Sequence, residues 1–216
     1  MSAIRSWWGR YARHEPRTLL RTGLTILVLL CVAYLGWVRT RTGQMVDIDL
    51  FSRAQSVDAA LAPPAALLRR GLPPVGAVAV VLLGLAAVRR GAWRETAAAG
   101  LVVVTSVALS SLLKATLERP YLGDLGYVQN TFPSGHVTAT AALAVAVVLL
   151  WPRPRPRSVP LTAVAVCAIA SLASVIGYAH RPSDTIGSLL LVLLVTTAAV
   201  GVFPDRRPVP VERSEV

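Results

Sequence analysis

Three short polar clusters, each beside a long apolar run, contain the residues of this sequence that are best suited to chemistry. Ionisable groups at the edge of an apolar segment are costly unless they are solvated or have a function. Taken singly, each also has an ordinary alternative, such as a snorkelling lysine or an interfacial histidine. Together they predict one site, with Lys114 and Arg119 in the first cluster, Ser134, Gly135 and His136 in the second, and His180, Arg181 and Asp184 in the third.

The spacing within the third cluster suits nucleophilic catalysis. His180 and Asp184 are four residues apart, which is one turn of a helix. The carboxylate can keep one imidazole nitrogen protonated and leave the other as a nucleophile, while His136 is suited to protonate a leaving oxygen. The remaining groups are suited to bind the charged oxygens of a transferring phosphoryl group: Lys114, Arg119 and the backbone N–H groups of Ser134 and Gly135.

The second cluster lies in the turn Phe132–His136, directly before an apolar run that ends at Trp151. A helix start has unpaired backbone N–H groups and the positive end of the helix dipole, which favour an anion such as phosphate. The same turn is also an ordinary helix cap. With the other clusters it predicts a two-histidine phosphatase.

No metal and no other cofactor are predicted. Cys31 and Cys167 lie within apolar runs, where a small buried hydrophobic residue is expected rather than a disulfide or a metal ligand. The sequence has no cluster of Cys and His with metal-ligand spacing. His14, in the basic N-terminal segment, is predicted to be an ordinary surface histidine.

The composition is that of a membrane protein. Of the 216 residues, 54% are hydrophobic and 15% are charged, and several apolar runs approach twenty residues. The net charge of +11 does not indicate a nucleic-acid partner, because the arginines gather at the ends of apolar runs rather than on one basic face. The predicted partners are membrane lipids, and the oligomeric state is left open.

The apolar runs predict an all-α, integral-membrane six-helix bundle. A basic and aromatic segment, 1–17, precedes the membrane domain, 18–203, and a polar tail, 204–216, is predicted to be disordered. The predicted spans are Leu19–Val38, Pro73–Val88, Thr96–Leu117, Ser134–Trp151, Val159–Ala179 and Thr185–Phe203.

The long connection 39–72 is predicted to lie on the outer side of the membrane. Its pattern over 47–68 is compatible with an interfacial helix that Pro63-Pro64 interrupts. The three acidic residues of this connection are predicted to be solvated: Asp47, Asp49 and Asp58.

Fourteen of the 22 Lys and Arg residues fall in segments that are cytoplasmic if both termini are cytoplasmic. This orientation places the three polar clusters at the outer face of a plasma membrane of the bacterial type. Arg69 and Arg70 lie on that outer side and are the main observation against this orientation.

The order of the three clusters resembles the signature of the type 2 phosphatidic acid phosphatase family, which includes the vanadium haloperoxidases. The likeness covers about 96–203 and is most specific in Pro133-Ser134-Gly135-His136 and in His180-Arg181-Pro182-Ser183-Asp184. It implies a six-helix membrane core and hydrolysis of a lipid phosphate or pyrophosphate, such as phosphatidylglycerophosphate or undecaprenyl pyrophosphate. It also implies a phosphohistidine on His180, with Asp184 as its partner and His136 as the general acid.

Two positions depart from the family pattern. The first motif usually has six residues between its Lys and its Arg-Pro, whereas four separate Lys114 from Arg119, and Tyr121 occupies the usual arginine position. The third motif usually has an arginine six residues before its histidine, where this chain has Ser174. Arg181 is a candidate replacement if its side chain does not extend to the lipid headgroups.

Three functions remain open. The leading prediction is a metal-independent lipid phosphatase. A phosphotransferase would pass the group from the same histidine to another hydroxyl instead of water. A non-catalytic protein would bind a lipid phosphate after losing an arginine, although His136, His180 and Asp184 argue against this, because a binding protein needs no nucleophile.

Overall fold

The computed structural model describes residues 16–56, 59–122 and 129–203, and within these ranges the chain forms helices and no β-strand. The predictions for His14, Asp58 and the tail 204–216 concern residues outside these ranges, as does most of the N-terminal segment. The α-helices are α1 (Pro16–Val32), α2 (Arg41–Ser56), α3 (Ala62–Arg89), α4 (Trp93–Thr116), α5 (Gly135–Leu150), α6 (Ser158–Ile176) and α7 (Pro182–Val202).

Six of these helices account for the predicted bundle. A π-helical turn, Ala33–Val38, extends α1, and a 3₁₀ turn, Ala59–Leu61, precedes α3. Among the described residues, five helical segments are long and apolar enough to cross a membrane. They are Pro16–Val38, Ala59–Arg89, Trp93–Thr116, Ser158–Ile176 and Pro182–Val202, and α5 is a shorter apolar helix. The prediction of an all-α membrane bundle is confirmed.

The short helix α5 occupies the centre of the bundle. It packs against α3, α4, α6 and α7. Its sixteen residues correspond to about 24 Å, less than the roughly 30 Å of bilayer hydrocarbon. Small buried residues such as Ala141, Ala142 and Ala146 allow the neighbouring helices to approach closely. α5 is therefore surrounded by protein, and its first turn is held in a fixed position.

Two arginines cap the other end of α5. Arg90 donates to the carbonyl of Leu150 and Arg155 donates to the carbonyl of Leu149, both at 3.1 Å. A helix C-terminus has unpaired carbonyls and a partial negative charge, which cations stabilise. Part of the basic charge at this end of the bundle therefore has a structural use, in addition to its expected role in orientation.

The second span begins earlier than predicted. α3 starts at Ala62 and continues without a break through Pro73 and Pro74 to Arg89, whereas the sequence predicts a span over Pro73–Val88. Pro63 and Pro64 do not interrupt a helix, because they lie in its first turn, where the missing N–H has no helical acceptor. As a result, Arg69 and Arg70 belong to a helix of the bundle and not to a loop.

The connection after α1 also differs from the prediction. The helix α2 ends at Ser56, before the prolines, and packs against α6 and α7. Asp47, predicted to be solvated, is 3% exposed, because it faces the first turn of α7 and accepts hydrogen bonds from Ser183. Asp49 is exposed and pairs with Arg53 at 2.8 Å. The interfacial position of this helix stays a prediction.

Candidate active site

One end of the bundle contains a cavity of about 530 Å³ that brings together side chains from several elements. Lys114 reaches it from the last turn of α4, His136 from the first turn of α5, and His180 from the loop between α6 and α7. Of the predicted site residues, Gly135 also lines this cavity, whereas Arg119, Ser134, Arg181 and Asp184 do not. The described residues that line it are Arg69, Pro73, Lys114, Gly135, His136, Ala139, Ala179 and His180.

His180 and Asp184 form the pair that their spacing predicts. The Nδ1 of His180 lies 3.3 Å from Oδ2 of Asp184, and both side chains are buried. The backbone N–H of His180 donates to the carbonyl of Ser174 at 3.1 Å, which fixes the loop just before α7. With Nδ1–H donated to the carboxylate, the unprotonated Nε2 is the nitrogen that has a lone pair for a reacting centre.

The carboxylate of Asp184 has three further donors. Arg119 Nη2 lies 2.6 Å from Oδ1, Thr131 Oγ1 donates to Oδ2 at 2.7 Å, and the backbone N–H of Arg181 donates to Oδ2 at 3.2 Å. A fully buried carboxylate is stable only when it is paired and hydrogen-bonded in this way. The four contacts fix the orientation of the group that holds His180.

Arg119 therefore contacts the carboxylate, whereas the sequence predicted that it binds phosphate. Its side chain is 1% exposed, and its Nε and Nη1 atoms have no hydrogen-bond partner among the described residues. It also lines a second cavity, of about 550 Å³, which shares Lys114 with the first. These two buried N–H groups of Arg119 therefore have no acceptor among the described residues, although the residue lines this second cavity.

The first turn of α5 is held in place by hydrogen bonds to neighbouring segments, so its groups are not all available to an anion. The backbone N–H of Ser134 donates to the carbonyl of Asp184 at 3.1 Å, and the hydroxyl of Ser134 caps the helix by accepting from Val137 at 3.5 Å. The N–H of Ser134 is therefore engaged, contrary to the prediction that it binds phosphate. Ser188 adds a link that the sequence analysis missed, because its hydroxyl lies 2.9 Å from the carbonyl of Ser134 and 2.8 Å from that of Asp184.

Gly135 keeps its predicted place beside the cavity. A Cβ at this position would lie 3.9 Å from Nζ of Lys114, so the ammonium group is next to the start of α5. Two sources of positive charge, the lysine and the N-terminus of the helix, therefore lie together at the cavity wall.

A close approach between Phe132 and Gly187 positions the turn before α5. The ring of Phe132 is 1% exposed, and a Cβ on Gly187 would lie 2.2 Å from its Cε2 atom. Only a residue without a side chain leaves room for the ring against α7. This contact locks the segment before His136 onto the helix that contains Asp184.

His136 has a partner that the sequence analysis did not assign to the site. Nη1 of Arg69 lies 3.1 Å from Nδ1 of His136. Because a guanidinium only donates, Nδ1 accepts and the proton of the neutral imidazole is on Nε2. The only signal for Arg69 in the sequence was its place on the same predicted face as the three polar clusters.

Ser174, which stands where the family pattern has an arginine, and Arg181, its candidate replacement, are both buried. Ser174 is 0% exposed, and its carbonyl accepts from the N–H groups of Ala179 and His180. Arg181 is 1% exposed, which excludes the alternative in which its side chain extends to lipid headgroups. In the ranges that the structure describes, no group of three or more His, Cys, Asp or Glu side chains is placed to hold a metal ion.

Comparison with known proteins gives two matches. The family model described as the PAP2 superfamily matches residues 95–208. The fold is similar to the crystal structure of the first transmembrane PAP2 type phosphatidylglycerolphosphate phosphatase from Bacillus subtilis, with a TM-score of 0.65 and 18% identity over 84% of this chain and 95% of that chain. No curated protein sequence matches this chain.

Proposed function

Because this chain belongs to the PAP2 superfamily, we propose that it is a membrane lipid phosphatase that hydrolyses a lipid phosphate or a polyprenyl pyrophosphate. The observation that carries the proposal is the 3.3 Å contact between His180 Nδ1 and Asp184 Oδ2, at a cavity that His136 and Lys114 also line. This combination supplies a nucleophile, a proton donor and a cation at one place.

The proposed reaction has two steps. Nε2 of His180 attacks phosphorus, the bond from phosphorus to the lipid oxygen breaks, and His136, in its protonated imidazolium form, gives a proton to that oxygen and becomes neutral. A water molecule then attacks the phosphohistidine, His136 takes a proton from it, and His180 and inorganic phosphate are released. Asp184 stabilises the positive charge that develops on the imidazole of His180 during the first step.

The electrostatics of the cavity suit a phosphate group. None of the described residues that line it is acidic, whereas Lys114 and Arg69 are cationic. The positive end of the α5 dipole adds to this field. Such a cavity stabilises the charge on the phosphoryl oxygens during transfer.

The position of the cavity fits a lipid substrate. It lies at the ends of apolar helices, and its lining includes apolar Pro73 and Ala139 beside the charged groups. The headgroup of a lipid can therefore reach His180 while its chains remain in the bilayer. Phosphatidylglycerophosphate is one candidate, since the structurally similar Bacillus subtilis protein is described as a phosphatase of that lipid.

We place the site on the outer face of the membrane, with both termini in the cytoplasm. The opposite end of the bundle contains Arg89, Arg90 and Arg94 together with Arg153, Arg155 and Arg157, and cytoplasmic loops are enriched in such residues. Cysteine labelling from outside intact cells tests this: a cysteine at the exposed residue Glu118 should react, and one at Arg94 should not. The reverse pattern would place the site inside.

The experiment that tests the function is phosphate release by the purified protein in detergent with EDTA present. The substrates are phosphatidic acid, phosphatidylglycerophosphate and a polyprenyl pyrophosphate, and the matched variant is His180→Ala. Release in EDTA that the variant lacks, with a phosphoenzyme that is stable to alkali and labile to acid, is the expected result. Release that the variant retains would refute the histidine mechanism.

One observation favours a second candidate, a non-catalytic protein that binds lipid phosphate. The arginine that the family pattern places at position 174 is a buried serine here. A folded protein that binds these lipids without turning them over would support this candidate. Transfer of the phosphoryl group to an added alcohol, faster than release to water, would instead indicate a phosphotransferase.

A further inference from the structure

The cavity lacks a cation at a position where the family pattern has one. Ser174 is fully buried and supports the loop of His180 through its carbonyl. Arg119 is directed to Asp184, and Arg181 does not line the cavity. If the chain is a phosphatase, another residue must bind the phosphoryl oxygens that this arginine would contact.

Helix α3 places a different arginine in this cavity. It packs against α6 so closely that a Cβ on Gly177 would lie 3.2 Å from the backbone nitrogen of Ala66. Arg69 follows Ala66 by three residues, so the two share a face of α3. The side chain of Arg69 thus enters the cavity from the helix that adjoins the end of α6, where Ser174 is found. Among the described residues that line the cavity, it is the only arginine.

The contacts of Arg69 leave donors for a ligand. Nη1 donates to His136 at 3.1 Å, and Nε is buried with no hydrogen-bond partner among the described residues. Within the described part of the chain, no carboxylate lines the cavity with it. A guanidinium has five N–H donors in a planar fork that matches two oxygens of a phosphate.

We propose that Arg69 is a phosphate-binding residue of this site and supplies, from α3, the cation that is absent at position 174. This inference rests on the proposed function for its substrate. The same guanidinium contacts Nδ1 of neutral His136 at 3.1 Å, and this hydrogen bond is lost when His136 is protonated, because Nδ1 then carries a proton.

The test compares Arg69→Gln with the neighbouring variant Arg70→Gln. Arg70 is exposed and does not line the cavity, so it controls for the loss of one positive charge on the same turn of α3. The probe is inorganic phosphate, whose affinity is measured by calorimetry on the purified full chain in detergent. We expect Arg69→Gln to weaken phosphate binding by about tenfold or more, and Arg70→Gln to change it by less than about twofold.

Kinetics with the best lipid of the panel provides the second measurement. We expect kcat/KM to fall by about 10²–10³ in Arg69→Gln, with Arg69→Lys between this variant and the wild type, because an ammonium keeps the charge and loses the fork. If kcat falls while phosphate affinity is unchanged, Arg69 only orients His136 and the proposal is overturned.

Binding and turnover separate this inference from the proposed function. Wild-type protein that binds phosphate but releases none from any lipid would refute the phosphatase function, while the comparison of Arg69→Gln with Arg70→Gln would still decide the role of Arg69. Should Arg69→Gln not fold, Arg69→Met, which keeps the apolar stem, takes its place. If the variant that folds, either Arg69→Gln or Arg69→Met, binds phosphate with the same affinity as the wild type, the proposal is rejected.

Discussion

Both carboxylate oxygens of Asp47 accept hydrogen bonds from Ser183, one from its backbone N–H at 2.9 Å and one from its hydroxyl, although 136 residues separate the two positions. Ser183 lies between His180 and Asp184, in the first turn of α7. The helix α2 is therefore attached to the segment that contains the proposed nucleophile. Substitutions at Asp47 report on how firmly that segment is held.

We predict that Asp47→Ala destabilises the protein by about 1–3 kcal/mol, because two buried donors of Ser183 lose their acceptors. Activity should fall as well, since the loop of His180 loses an anchor. Thermal unfolding in detergent measures the first effect. Asp49→Ala is the control, and its change should stay within about 0.5 kcal/mol, because Asp49 is exposed. Equal effects of the two variants would contradict this prediction.

The same residue predicts a pH dependence of stability. Burial raises the pKa of Asp47 above its ordinary value of 3.8, and the hydrogen bonds from Ser183 only partly oppose this. When folding raises the pKa of a carboxyl, the protonated form of that group stabilises the folded state. This stabilisation is complete below pH 3.8 and is lost as the pH rises through the folded-state pKa.

We therefore expect the wild type to lose stability relative to Asp47→Asn as the pH rises above 3.8, until Asp47 is fully ionised. The asparagine cannot titrate, and the other carboxyl groups are common to both proteins. Unfolding midpoints measured for both proteins across the acid range give the difference directly. Parallel curves would contradict the raised pKa.

The ion pair between Arg119 and Asp184 should be strongly coupled. Its atoms are 2.6 Å apart and both side chains are buried, so removing one partner leaves a buried charge. We predict that Asp184→Asn destabilises the protein by about 3–5 kcal/mol in addition to abolishing activity.

A double-mutant cycle with Arg119→Gln measures this coupling. The double variant should be less destabilised than the sum of the two single variants, since it leaves no unpaired charge. His180→Ala is the matched comparison, because it removes the nucleophile and leaves the ion pair intact. Additive effects would indicate that Arg119 and Asp184 do not depend on each other.

His136 is expected to act on the leaving group. His136→Gln should lower kcat for lipid phosphates by about 10²–10⁴, because the lipid alkoxide is a poor leaving group that needs a proton. The loss should be much smaller for an aryl phosphate such as p-nitrophenyl phosphate, whose leaving group departs without protonation. Equal losses for both substrates would assign His136 a role in binding instead.

The helices and the grouping of the polar clusters were predictable, because both depend on local patterns. Long apolar runs with few charges specify membrane helices from composition alone. Successive membrane-spanning helices are antiparallel, which brings the ends of α4 and α6 to the same side as the starts of α5 and α7. This arrangement accounts for the grouping of Lys114, His136 and His180 at one end of the bundle.

The partners of individual groups were not predictable. The burial of Asp47 depends on Ser183, and the N–H of Ser134 is taken by the carbonyl of Asp184, both of which are distant in sequence. The prediction puts Arg69 in the outer connection 39–72 and begins the span at Pro73, whereas the helix begins at Ala62 and continues through Pro73 and Pro74. In the sequence, a pair of prolines inside a helix of a bundle cannot be distinguished from a pair of prolines at the start of a helix.

Because Phe132 and Gly187 are in contact, the residues that are tolerated at position 187 depend on the residue at position 132. The ring is enclosed by the core residues Leu191 and Val195 and cannot move aside for a new methyl group. A mutation at 187 is therefore tolerated only after the aromatic residue at 132 has been replaced by a smaller one. A library that varies position 187 alone will therefore recover few functional members, whereas one that varies 132 and 187 together can recover pairs in which a smaller residue at 132 leaves room for a side chain at 187.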